Sequence, residues 1–251
     1  HDALPIEKKS NLYFNYEFGI TTEYYFGHDL LSYYLYQQIT LLVFYYAQNQ
    51  IQNNPPSYLI DTLNIEFDKI LKTIEIHKVE VEEINVLINL VHLIRDKKES
   101  TYYLIINSIE SSSLRLHTKE VKSIYLVLIN FLFLNKKEKP YGLILSAYQS
   151  MYSYHNNMFF NYLQPQVIKN IATLCLRTNN LSWFNEVFTA KNIKRLNKAN
   201  QETLKLCEAK FLFHNYKYGN CIHVLNHFKT GDIFQDLELR RLQIMCFYEL
   251  R

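Results

Sequence analysis

The chain has 251 residues, of which 48% are hydrophobic, with only five glycines and five prolines and a formal net charge of +3. Gly and Pro this far below their usual shares of about 7% and 5% argue against a turn-rich β architecture and favour long helices. So small a net charge excludes the strong field of a dedicated nucleic-acid or anionic-membrane binder, and apolar runs such as 39–47 and 124–134 fall short of the ~20 residues that span a bilayer.

The 21 Tyr and 16 Phe would suit strands by propensity, but they recur at helical spacing, and period outranks propensity. Asp29 is placed to cap a first helix running to about Gln50, with Leu30, Tyr33, Tyr34, Leu41, Phe44 and Tyr45 as its stripe. Asn53-Asn54-Pro55-Pro56 stops it, and Ser57 starts a second helix carrying Ile60, Leu63, Phe67, Ile70, Leu71 and Ile74. A third shows Ile84, Leu87, Ile88, Val91 and Ile94. Its Glu80, Glu82 and Glu83 lie at the start and Arg95, Lys97 and Lys98 at the end, where the helix dipole favours each sign.

Ser100 or Thr101 opens a short helix to about Ser111, and Val121, Ile124, Tyr125, Leu128, Phe131 and Leu132 form the clearest amphipathic stripe, ended by 136–139. Pro140 and Pro165 stand where first-turn prolines belong, ahead of Ala147/Tyr148 and Ile171/Cys175. Asn179-Asn180 makes a turn, and Ser182 is placed to cap a helix with Trp183, Phe184, Val187 and Phe188. Asp232 and Gln235 read as a capping box that opens the last helix. About twelve helices on short loops are expected, as one bundle or as stacked pairs.

Side-chain chemistry is sparse. His223 and His227 have metal-ligand spacing but lack the glutamate of a zinc-protease motif and a third ligand, so ordinary packed or exposed histidines are expected. There is no G-x-S-x-G, and isolated glycines make no phosphate-cradling loop. The expectation is a chain with no catalytic residue, no metal and no cofactor. Cys175, Cys207, Cys221 and Cys246 form no C-x-x-C pair and read as reduced core thiols of a cytoplasmic protein. The tyrosines at 24–25, 33–36 and 45–46 read as helix packing, and Lys191, Lys194, Arg195 and Lys198 as a solvated linker.

Internal repetition separates a bundle from a solenoid. In 204–232, Ala209, Leu212, Tyr218, Cys221, Leu225 and Phe228 stand at the offsets of tetratricopeptide (TPR) packing residues, and a 34-residue shift brings Leu242 and Cys246 into equivalent places. With Asp232-Ile233-Phe234, this pattern resembles that of large uncharacterised bacterial proteins with degenerate TPR-like helical repeats. A degenerate unit with Ala172, Cys175 and Trp183 precedes it.

The resemblance implies an all-α fold, an α-α superhelix built as a right-handed solenoid of antiparallel helix pairs. Residues 1–251 would form a single helical-repeat domain, a fragment of a longer chain, with its clearest unit at 200–232. The resemblance implies fold rather than activity; the leading expectation is a non-enzymatic protein- or peptide-binding scaffold, with nucleic acid disfavoured as a partner by the small net charge and no membrane insertion. By similarity its groove would be lined by Thr203, Leu206, Lys210 and Phe213 and by Leu237, Arg240, Ile244 and Phe247, with Lys210 and Arg240 as free cations for a carboxylate; the alternative for the apolar members is burial under neighbouring superhelix or a further C-terminal helix. The alternative is the peptide-sensing domain of a transcriptional regulator, whose DNA-binding module would precede His1.

Overall fold

The structure is a computed structural model that describes residues 30–51, 56–111, 118–135, 140–154, 159–160, 163–228 and 233–251. Among them there are twelve helices of four residues or more and no strand, so the chain is all-α. The expected caps and stops at Asp29, 53–55, 136–139 and Asp232, and the pair Tyr24-Tyr25, lie outside the described residues. The described residues form two compact units that meet in sequence at Pro140 and Tyr141.

The first unit holds α1 (Leu30–Ile51), α2 (Ser57–His77), α3 (Glu82–Asp96), α4 (Glu99–Glu110) and α5 (Thr118–Asn135). Helix α3 packs against α1, α4 and α5, and α1 also packs against α2. A helix with several neighbours must bury more than one stripe, and α3 buries Val86, Leu90 and Leu93 besides the expected Ile84, Leu87, Val91 and Ile94. Helix α5 goes further: every residue from Glu120 to Phe133 except Lys122 is buried. It is therefore not amphipathic, because Leu126, Val127 and Ile129 fill the side opposite the expected stripe.

Helix α1 inverts its expected face. Leu35, Tyr36, Ile39, Leu42, Val43, Tyr46 and Ala47 are buried, whereas Leu30, Tyr34, Leu41 and Tyr45 are exposed. The two sets are about equally apolar, and hydrogen bonding separates them. The Tyr36 hydroxyl donates to Glu120 Oε1 at 2.7 Å and the Tyr46 hydroxyl to Asn64 Oδ1 at 2.6 Å. Burial, followed by the Glu120 carboxylate, pushes the Tyr36 phenol far above its ordinary range.

The second unit holds α6 (Tyr141–Tyr154), α7 (Pro165–Arg177), α8 (Leu181–Val187), α9 (Ala190–Ile193), α10 (Lys198–His214), α11 (Tyr218–Asn226) and α12 (Ile233–Glu249). Pro165 occupies the first turn of α7 as expected, since its missing N–H needs no partner there. Two other caps differ. Asn180, not Ser182, precedes α8, and Ser182 instead donates to Asn180 Oδ1; in the first unit, Ser100 and Thr101 lie inside α4, which follows Lys98. Asn197 caps α10 by accepting from the Asn200 amide at 2.9 Å.

With so few glycines, the helices stop on other residues in the left-handed region. Lys78, Asn179 and Tyr216 (φ 49°, 53° and 59°) end α2, α7 and α10. Each stop is closed by the same two bonds. The Val79, Asn180 and Lys217 amides reach back to Ile74, Cys175 and Leu212, enclosing the bonds from Lys78, Asn179 and Tyr216 to Glu75, Leu176 and Phe213. This is the six-to-one and five-to-two pattern that satisfies terminal carbonyls. In the second unit α7 packs against α8 and α10, and α10 against α11 and α12, while α11 packs against α12. Ala172 and Ala209, each seven residues before its left-handed residue, are both buried.

Candidate functional site

The expected packing residues of 204–232 do come together. Leu206, Ala209, Cys221, Leu225, Phe228, Leu239, Leu242 and Cys246 form one buried cluster, with Leu212, Phe213 and Tyr218 packed on it. The Cys221 thiol donates to the Ala209 carbonyl at 3.1 Å, which a larger side chain at either position would prevent. All four cysteines are free and buried, and burial pushes the Cys175, Cys207 and Cys221 thiols up to about 12.

The candidate groove residues divide into two groups. On α10, Thr203 is buried and its hydroxyl donates to Ala199 O, Leu206 lies in the core, and Phe213 is half-buried against Tyr218. Lys210 is tied to Glu238 of α12, whose other oxygen takes Lys169 of α7 at 3.3 Å. Of the α10 candidates, Thr203 and Leu206 therefore present no surface and Lys210 is not a free cation. Burial raises the Glu238 pKa, but Lys210 and then Lys169 outweigh it and hold the carboxyl below its ordinary value.

The α12 side is open. Leu237, Ile244 and Phe247 are 60%, 69% and 57% exposed, and Ile233, Phe234, Tyr248 and Leu250 are exposed beside them. Its opposite face, Leu239, Leu242 and Cys246, closes the core. Helical geometry puts Ile233, Leu237, Arg240, Ile244 and Phe247 within about 80° of one another, turned away from that core face. Arg240 is exposed and pairs with Asp236 one turn back at 2.8 Å; Arg241 is exposed with no acidic partner among the described residues.

Other places offer less chemistry. The His223 and His227 rings pack at 4.6 Å, both exposed, and no group of three metal-ligating side chains occurs among the described residues. Lys191, Lys194, Arg195 and Lys198 are all exposed; Arg195 sits over the Phe160 ring at 5.2 Å and Lys198 lies 4.0 Å from Glu202. An open apolar cleft at the start of α1 is lined by Leu30, Leu31, Tyr33, Tyr34 and Gln37. No described helix is long and apolar enough to cross a membrane.

Sequence reasoning missed Glu238, since an acidic residue in a helix gives no sign that two lysines from different helices converge on it. It also missed that, of the eight candidate groove residues, the exposed ones are all on α12. No family model, no curated protein and no solved structure matches the chain.

Proposed function

We propose that this chain is a non-enzymatic helical-repeat scaffold of the TPR-like kind, a right-handed superhelix of antiparallel helix pairs that holds a partner protein on the outer face of α12. The recurrent helix stops after α2, α7 and α10 and the buried alanines seven residues ahead of the last two support a repeated unit. Packing of α7 on α10 and of α10 on α12 is what stacked pairs would give. The four free buried cysteines suit a reducing compartment such as the cytoplasm.

One observation carries the binding role: a helix already anchored by its core face exposes Ile233, Leu237, Ile244 and Phe247 along the other. Contiguous exposed apolar surface of this kind marks interaction sites in folded proteins. The test is capture from native cells with the full chain, comparing wild type, Ile244→Asp/Phe247→Asp and the exposed control Lys205→Asp, with thermal melts on each. A protein retained by wild type and control but lost from the double variant, with the melt unchanged, is the expected result. Retention by all three overturns the assignment to α12.

A further inference from the structure

Resting on that role for α12, we infer that the partner is itself an amphipathic helix, with apolar residues at a 3.5-residue period and an acidic flank, laid along the Ile233–Phe247 stripe with carboxylates against Arg240 and Arg241. The spacing of the stripe supports a helix. Ile233, Leu237, Arg240, Ile244 and Phe247 are separated by steps of four, three, four and three, the repeat by which one helix receives the side chains of another over successive turns. At 1.5 Å per residue the stripe is about 21 Å long and straight, a length matched by four turns of a second helix.

Charge selects the flank. On the outer side of α12 the exposed cations are Arg240 and Arg241, while Asp236 is the acid beside the stripe and its carboxylate is engaged by Arg240. Glu238 is on the inner side, held by Lys169 and Lys210. The face is thus net basic, and Asp236 occupies in the free chain the position that a partner carboxylate would share or take over. Exchange of one exposed carboxylate for another costs little, whereas meeting a desolvated, bidentate carboxylate gains a charge-assisted pair. A second copy of α12 would bring Arg240 and Arg241 against the same basic face, so self-pairing fits the surface less well than an acidic helix does.

The probes are two stapled monomeric helices of about 21 residues with leucine at the first and fourth positions of each heptad, one flanked by glutamate and one by lysine, titrated by fluorescence anisotropy into the full chain. The glutamate helix is expected to bind at least about tenfold more tightly, to weaken as salt rises, and to be lost with Ile244→Asp. Arg240→Glu/Arg241→Glu is expected to reverse the preference while the thermal melt stays unchanged. Equal binding of the two helices, or a preference for lysine in wild type, overturns the inference. Failure of both helices, where Ile244→Asp/Phe247→Asp still abolishes capture of the cellular partner, overturns the helix class and leaves the scaffold role standing. A dimer seen by analytical ultracentrifugation and abolished by Ile244→Asp would give the face to a second copy and overturn it as well.

Discussion

Helices α7 and α12 belong to the same unit and use their hydrophobic residues differently. In α7 every large aliphatic residue except Leu176 is buried, namely Val167, Ile168, Ile171 and Leu174, and the rest of its surface is mostly polar, with Gln166, Lys169, Asn170, Thr173 and Arg177. In α12 the core takes Leu239, Leu242 and Cys246, and an equal or larger apolar set stays in water. The first helix is explained by folding alone. The second leaves an apolar face uncovered among the described residues, and the proposed scaffold role assigns that face to a partner.

The strongest way to break the comparison is to truncate the core side of α12. Leu242→Ala is expected to destabilise the chain by about 2–5 kcal/mol, as buried leucines do when a cavity is left behind. Urea unfolding followed by circular dichroism measures it. A cost below ~1 kcal/mol would mean that the core face is as dispensable as the outer one, and the contrast with α7 would go.

The ionic contact joining α12 to α7 and α10 gives the next effect. Glu238→Gln leaves Lys169 and Lys210 facing a neutral amide, for an expected loss of about 1–2 kcal/mol at neutral pH, less than for a fully buried pair because all three side chains keep some solvent contact. Burial alone would raise the Glu238 pKa, but the two lysines depress it below its ordinary value. A carboxyl depressed in the folded state stabilises above its unfolded pKa, and the contribution is lost as pH falls through the folded value. Wild type and Glu238→Gln should therefore differ at pH 7 and converge in matched urea titrations as pH falls through the lowered folded pKa of Glu238. A gap that does not narrow on acidification would mean that shape rather than charge holds the contact.

The thiols test whether the α10–α12 core is closed. With Cys175, Cys207 and Cys221 pushed up to about 12 by burial, almost no thiolate exists at pH 8, and reaction with a disulfide reagent should proceed at the rate of unfolding. Fast labelling of Cys221 or Cys246 in the native chain would show that α12 opens readily from its core face.

How much of this was legible in the sequence depended on how many apolar faces a helix carries. Where one face is apolar, as in α2 and α7, the period identified the buried residues: Phe67 and Ile70, Ile171 and Cys175. The small residues Ala209 and Cys221 were legible too, because only close helix crossing explains them there. In α1, α5 and α12 apolar residues occur on both sides, and spacing cannot say which side faces inward. The α1 stripe was inverted, α5 proved to be buried nearly all round, and the candidate groove kept its α12 members on the surface while Thr203 and Leu206 went into the core. Choosing a face requires knowing what lies against it, which is information about neighbours rather than about the helix.

The smallest predicted effect is also the most discriminating. Ile244→Ala should change stability by no more than about 0.5 kcal/mol, because a side chain 69% exposed loses few contacts when shortened. Set beside Leu242→Ala two residues away, the ratio of the two costs measures how completely α12 separates a folding face from a free one. A loss above ~1.5 kcal/mol at Ile244 would be that of a half-buried core residue, and would mean that the stripe is covered in the isolated chain. If it is small, the same residue can be altered without disturbing the fold, so loss of partner capture in Ile244→Asp reports on binding itself.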